Sequence, residues 1–246
     1  MKMSIKTVLA AAALAFSVAG TADATLVTIG QANYNSSNYN LVYDKESSLI
    51  WLDYSNTYDT WSNQVAWAGS LNSAGTLSYT LYAGYSGINW GGDWRLPTTV
   101  DDSAAYYNAA LPSDYWYSGN YSIGHNNTTS EFGHLYYTEL GNKAPMDTSG
   151  NSQPGSGLTN KGDLTNLQNY YYWSGTEYSA FPGGAWGFNT YNGFQYALDE
   201  YYYMLGLAVR SGQVSEVAPV PEPSTLLLLG GGLAGLVGWR QRRRNR

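Results

Sequence analysis

The stretch Ala185-Trp-Gly-Phe-Asn-Thr-Tyr-Asn-Gly-Phe-Gln195 reads as a β-hairpin. Trp186, Phe188 and Thr190 alternate with Gly187 and Asn189, the period-two pattern of a strand with one face buried. Asn192-Gly193 is the dipeptide that best tolerates the positive φ angles of a tight hairpin turn, so strands are expected over 185–191 and 194–198. On either side, Tyr170–Tyr178 and Tyr203–Arg210 are rich in aromatic and aliphatic residues and read as further strands. Far upstream, Leu41–Leu52 reads as two short strands about a polar turn at Asp44–Ser48.

Between these strands the spacing changes. Thr60 can cap a helix over 61–71, in which Trp61, Gln64, Val65, Ala68 and Leu71 share a face. Thr98 or Thr99 can cap a second, with Asp101 and Asp102 near its positive end and a stop at Leu111, before Pro112. Ser130 opens a third: Phe132, Leu135, Tyr136, Glu139 and Leu140 recur at helical spacing, and Gly141 can end it. Residues 75–92 read as loop or irregular strand, and 113–129 and 142–169 as loops rich in Gly, Ser, Asn or aromatic residues. No internal repeat has a fixed period.

Several motifs occur in order: Tyr43-Asp with Trp51, the Trp-bearing helix at 61–71, WRLPTT at 94–99, YWSGTEY at 172–178, AWGFNTYNGFQ at 185–195 and LAVRSG at 207–212. Together they resemble the DUF1566 family, also called the Lcl C-terminal domain, over about residues 40–212. GHLYYTELGN at 133–142 is similar to the variant of that domain found in bacterial proteins with a PEP-CTERM tail. The resemblance implies an α+β fold like those of C-type lectins and formylglycine-generating enzymes: a mixed, mainly antiparallel sheet with flanking helices. It also implies a shared framework of Tyr43, Trp51, Trp94, Arg95, Pro97, Trp173, Glu177 and Arg210. The chain has no cysteine, so neither a disulfide nor the thiol chemistry of the formylglycine-generating enzymes carries over.

Composition narrows the function classes. Between residues 25 and 220 there are 16 Asp and Glu against 5 Lys and Arg. A body this acidic repels nucleic acid and anionic lipid and suits neutral polymers or cation-bridged partners. Without cysteine, stability must come from packing, for which 9 Trp and 24 Tyr supply the area.

The candidate chemistry is sparse. Arg95 and Arg210 are the only arginines of the body and are expected to tie loops to the sheet by pairing with carboxylates such as Glu177 or Asp53. His125 and His134, the only histidines, lack metal-site spacing, and no metal ligand, cofactor or catalytic residue is assigned. Glu139, Glu177, Asp199 and Glu200 are the acids available for glycoside hydrolysis, which would need two of them paired across a substrate. No phosphate loop, calcium loop or nucleophile elbow is present. Aromatic clusters at Tyr115–Tyr117, Tyr170–Trp173 and Tyr201–Tyr203 can stack on sugar faces or fill the core.

The termini set the expected organisation. Residues 1–24 have a basic start, an apolar run and Ala22-Asp-Ala24, the form of a secretory signal peptide with its cleavage site. Residues 25–212 form the folded domain and 213–220 a linker. Residues 221–246 carry Pro221-Glu222-Pro223, an apolar stretch to Trp239, and Arg240, Arg242, Arg243, Arg244 and Arg246. That order resembles the PEP-CTERM sorting signal, which an exosortase recognises and cuts near the triplet. As a membrane segment, Leu226–Trp239 would place its arginines in the cytoplasm and the body outside. The resulting expectation is an exported, transiently membrane-anchored, non-enzymatic protein of the cell surface or extracellular matrix that associates with polysaccharide. A secreted carbohydrate-active enzyme, or a structural protein with a permanent anchor, stands as the alternative.

Overall fold

The computed structural model describes residues 25–101 and 122–217, together with Arg240, Gln241 and Arg243. The strands are β1 (Leu26–Tyr34), β2 (Ser37–Asp44), β3 (Leu49–Asp59), β4 (Ser78–Leu81), β5 (Tyr85–Trp90), β6 (Tyr171–Glu177), β7 (Gly184–Asn189), β8 (Phe194–Asp199) and β9 (Met204–Glu216). They form one sheet in the order β4-β1-β2-β3-β9-β6-β7-β8, with β5 also paired to β9. Every pairing is antiparallel except the single contact of β6 with β9, Tyr172 to Leu205.

β9 is the hub. It pairs β3 over Met204–Ser211 and β5 over Gly212–Glu216. Within the stretch paired to β3, Val209 also exchanges both backbone hydrogen bonds with Arg95. Side chains of the central strands are buried on both faces, so their sequences run apolar without a gap. Val42, Leu49, Trp51, Leu205, Leu207 and Val209 point into one core with Phe132, Leu135, Tyr136, Tyr172 and Phe188. The alternate residues Leu41, Tyr43, Ile50, Leu52 and Ala208 enter a second core with Ile29, Leu71 and Trp94.

The expected α+β fold with flanking helices is not what forms. The described chain is mainly β, and its helices are one of ten residues, α1 (Trp61–Ser70), and a short turn, α2 (Glu131–Gly133), that continues as a π-helix over His134–Glu139. In α1, Gln64, Ala68 and Leu71 are buried as the spacing predicts, but Val65 is 38% exposed. Loops do the covering that helices were expected to do. Asn142 and Asn160 hold the 140–160 loop: Asn142 Oδ1 accepts the Thr159 and Asn160 backbone N–H groups, and Asn160 Nδ2 donates to the Leu140 carbonyl. Such side chains satisfy backbone groups without regular structure, so Leu164 and Leu167 reach the first core from a loop.

Strands extend beyond the expected bounds. β1 lies in residues 25–40, for which no element was expected, β4 and β5 fall within the 75–92 stretch read as loop or irregular strand, and β9 runs to Glu216, through the first residues of the expected linker. The β7–β8 connection is a four-residue loop, Asn189 pairing Phe194, with Gly193 at φ 78°. The two-residue turn with consecutive positive φ sits instead at Asn35-Ser36, at φ 49° and 61°, between β1 and β2. Among the described residues no helix is long and apolar enough to cross a membrane. The signal peptide, the helix expected to run on to Leu111 and the C-terminal transmembrane helix fall at least in part outside the described residues.

Two glycines test this packing. A Cβ on Gly133 would stand 1.8 Å from the Asn127 carbonyl oxygen, which is backbone, whereas one on Gly69 of α1 meets nothing within 4 Å. Gly133→Ala is expected to cost about 1–3 kcal/mol and Gly69→Ala to stabilise by about 0.5–1 kcal/mol. Urea denaturation midpoints of the two variants should therefore move in opposite directions.

Candidate functional site

The framework residues are structural, and the two body arginines have partners the sequence did not show. Tyr43, Trp51, Trp94 and Trp173 are buried in the cores. Arg95 makes a bidentate pair with Glu131, both contacts 2.7 Å, and donates to the Leu96 carbonyl. Glu131 also accepts the Thr98 N–H at 2.7 Å, so one carboxylate fixes the Trp94–Thr98 loop against the start of α2. The Pro97 carbonyl accepts from Gly175 and from the Ser174 hydroxyl, joining that loop to β6. Arg210 lies over the Trp90 ring, 4.4 Å from its centre, and donates to the Gly92 carbonyl. Neither expected carboxylate meets an arginine: Asp53 is buried and accepts from Thr165 and Asn166, and Glu177 is exposed at the end of β6. Burial pushes the Asp53 carboxyl above its ordinary range, and the backbone N–H of Asn166 partly offsets this.

Glu139 belongs to a cluster with Asp44 and His134, three groups whose ligand atoms all lie within 4.8 Å of one another. His134 Nε2 stands 3.6 Å from Asp44 Oδ2 and 3.2 Å from Glu139 Oε1, and the Asp44 and Glu139 side chains are 0% and 1% exposed. Asp44 ends β2, and its Oδ1 accepts the Glu46 and Ser47 N–H groups of the following turn, which leaves Oδ2 aimed at the cluster. The other two groups come from the π-helix. At about 100° per residue, positions five apart on an α-helix differ by about 140° and face different ways. The wider π-turn, marked by the Leu140 N–H bonding the Leu135 carbonyl, brings His134 and Glu139 to one side. Burial raises the Glu139 carboxyl above its ordinary range, opposed by the Thr25 hydroxyl and reinforced by Asp44. No spacing rule could have found this cluster, because 90 residues separate Asp44 from His134 and the other interval, five, belongs to neither regular period.

A second feature gathers at one end of the sheet. Met204 pairs Asp59 and Leu205 pairs Tyr172, so the end of β3, the start of β6 and the turn before β9 lie together. Tyr171 pairs Asn189, which brings the β7–β8 loop to the same end. Tyr58, Tyr170, Tyr171, Tyr191 and Tyr203 are exposed there, while Tyr201 and Tyr202, also exposed, stand further along the β8–β9 turn beside Asp199, which pairs Gly184 at the other end of β7. Tyr58 meets Tyr170 edge to face with ring centres 5.0 Å apart, Tyr170 meets Tyr171 at 5.3 Å, and Tyr201 stacks on Tyr202 at 4.9 Å. The expected aromatic clusters are thus divided: Tyr172 and Trp173 fill the core, while Tyr170, Tyr171 and Tyr201–Tyr203 face solvent. Tyr115–Tyr117 lie outside the described residues.

Comparison with known proteins locates one element. Residues 219–244 match the PEP-CTERM protein-sorting motif. Neither the curated proteins nor the solved structures yield a match. The motif supports an exported surface protein with an exosortase as its processing partner.

His125 supplies a pH test. Its ring packs edge-on to Phe194 at 4.9 Å, and neither nitrogen has a hydrogen-bond partner among the described residues. Burial lowers its pKa from 6.5 to about 4. The unfolded chain therefore takes up the proton first as pH falls, so this site's contribution is full above about pH 6.5 and lost as pH falls toward 4. His125→Phe should flatten the fall of the urea midpoint across that window. An equally steep fall in the variant would assign the pH dependence to other groups.

Proposed function

We propose that the chain is a non-enzymatic surface or matrix protein whose body associates with extracellular polysaccharide through the tyrosine-lined end of its sheet. The observation that carries this reading is the gathering of exposed tyrosines from four separate segments onto one edge. Each ring offers an apolar face to a sugar and a hydroxyl to its oxygens. Tyr58, Tyr170 and Tyr171 touch in sequence and Tyr201 stacks on Tyr202, so these rings need little ordering when a ligand binds. The acidic body disfavours polyanions, which leaves neutral polymers as the fitting class. The ordered motifs that resemble the DUF1566 family belong to the same reading.

Export supplies the setting. Residues 1–24 serve as the signal peptide, and the sorting segment holds the protein at the membrane until an exosortase cuts near Pro221-Glu222-Pro223. The apolar stretch and the arginines that follow are then a transit device. β9 ends at Glu216, so the cut falls a few residues beyond the sheet and leaves its pairing intact.

Two measurements bear on these claims. Replacing Tyr201, Tyr202 and Tyr203 together with alanine in the purified full-length chain should weaken polysaccharide binding about tenfold, equivalent to about 1.4 kcal/mol, with little change in melting temperature because the rings are exposed. Unchanged binding in that variant removes the tyrosine edge as the contact. Intact mass of the protein recovered from the native cell surface should end near Glu222, and a mass that still includes Arg246 means a permanent anchor.

A further inference from the structure

The cluster of Asp44, His134 and Glu139 is left unused by polymer binding. Its chemistry is unusual for a buried site. Two carboxylates and an imidazole converge behind the β2–β3 turn with both carboxylate side chains almost wholly buried. Yet Asp44 Oδ2, His134 Nε2 and Glu139 Oε2 have no hydrogen-bond partner among the described residues. The 3.2 Å approach of His134 to Glu139 is short enough for a hydrogen bond but is not directed as one. Buried charges without partners are expensive, so this arrangement calls for a group that all three donors can share.

We propose that Asp44, His134 and Glu139 form a binding site for one divalent first-row transition ion, zinc being the probe, which fastens the β2–β3 turn to the π-helical segment. The distances fit. Ligand atoms about 2.0–2.2 Å from a tetrahedral ion stand roughly 3.3–3.6 Å from one another; His134 Nε2 is 3.6 Å from Asp44 Oδ2 and 3.2 Å from Glu139 Oε1, and all three ligand atoms lie within 4.8 Å of one another. The donor set fits as well: an imidazole nitrogen favours zinc and its neighbours over calcium or magnesium, while two carboxylates neutralise the ion's charge. Asp44 is oriented for the role by the two turn N–H groups on its Oδ1, and Glu139 by the Thr25 hydroxyl, the outer partners that metal ligands need. His134 also lines an open cleft of about 330 Å3 with Ser47, Leu49 and Thr128. A fourth coordination position is left to water. In a chain without cysteine, such a clasp supplies the cross-link that a disulfide would otherwise make.

The test uses the full-length chain purified in detergent and stripped with EDTA. Adding zinc chloride should bind one ion per chain and raise the melting temperature by about 5 °C at saturation. Asp44→Asn and His134→Gln keep the side-chain volume. Each should weaken zinc binding at least tenfold while the chain remains folded by circular dichroism, and His125→Gln should bind as the wild type does. Absence of a zinc-dependent shift in the wild type overturns the site, as does zinc binding that survives both ligand substitutions. A shift produced by calcium but not by zinc overturns the imidazole's role and the assignment with it.

Discussion

The burial of β9 on both faces is the constraint on which the rest of the structure depends. Its residues Leu205, Leu207 and Val209 enter one core and Ala208 the other. Its backbone serves β3, β5, β6 and Arg95 in turn. Over Met204–Val209 the strand has no solvent face, so that half is apolar and its neighbours cover both sides. With no disulfide available, packing carries the stability, in these two cores and in smaller clusters around Trp173 and Trp186, and aromatic side chains dominate because each buries a large area. Trp51, Trp173, Trp186, Tyr136, Tyr172 and Phe188 are the largest fully buried side chains.

What covers the two faces is mostly irregular chain, and polar side chains make that possible. Asp44, Asn127, Asn142 and Asp147 each accept backbone N–H groups from residues that follow them, near or far. Asp53 does the same for Asn166 across the sheet. A composition rich in Asn, Ser and Gly and poor in charge therefore has a structural meaning: it supplies hydrogen bonds where a helix or a ladder is absent. The bidentate Arg95–Glu131 pair does the same work at one point, fixing the Trp94–Thr98 loop to the helical segment 131–139 that covers the first core.

That segment is also where structure and chemistry meet. Its π-helical winding turns His134 and Glu139 toward Asp44 while Leu135, Tyr136 and Leu140 still fill the first core. The tyrosine edge and the acidic cluster come from different elements: the first from the ends of β3, β6 and β9, the second from the β2 end and the π-helix. A surface role and an internal clasp can therefore coexist in one chain whose C-terminal motif directs it to export.

The sequence by itself determined the strands with strong alternation or continuous apolar runs, the α1 helix and the sorting motif, because each is a local pattern that needs no partner to be read. It also pointed to Tyr170–Trp173 and Tyr201–Tyr203 without saying which rings are buried, since that depends on which face each strand turns to its neighbours. β1 was not anticipated, and β4 and β5 were legible only as loop or irregular strand, because their pairing with β1 and β9 is what makes them strands. The third expected helix starts after Ser130 and buries Phe132, Leu135, Tyr136 and Leu140 as its spacing predicts, but its later turn is π-wound, which the spacing does not show because α and π windings share their first apolar positions. Only the tertiary structure chose Glu131 as the partner of Arg95, and only it joined Asp44 to His134 and Glu139. Each of these contacts spans dozens of residues, and a distance of that kind is fixed by the sheet's order rather than by any spacing along the chain.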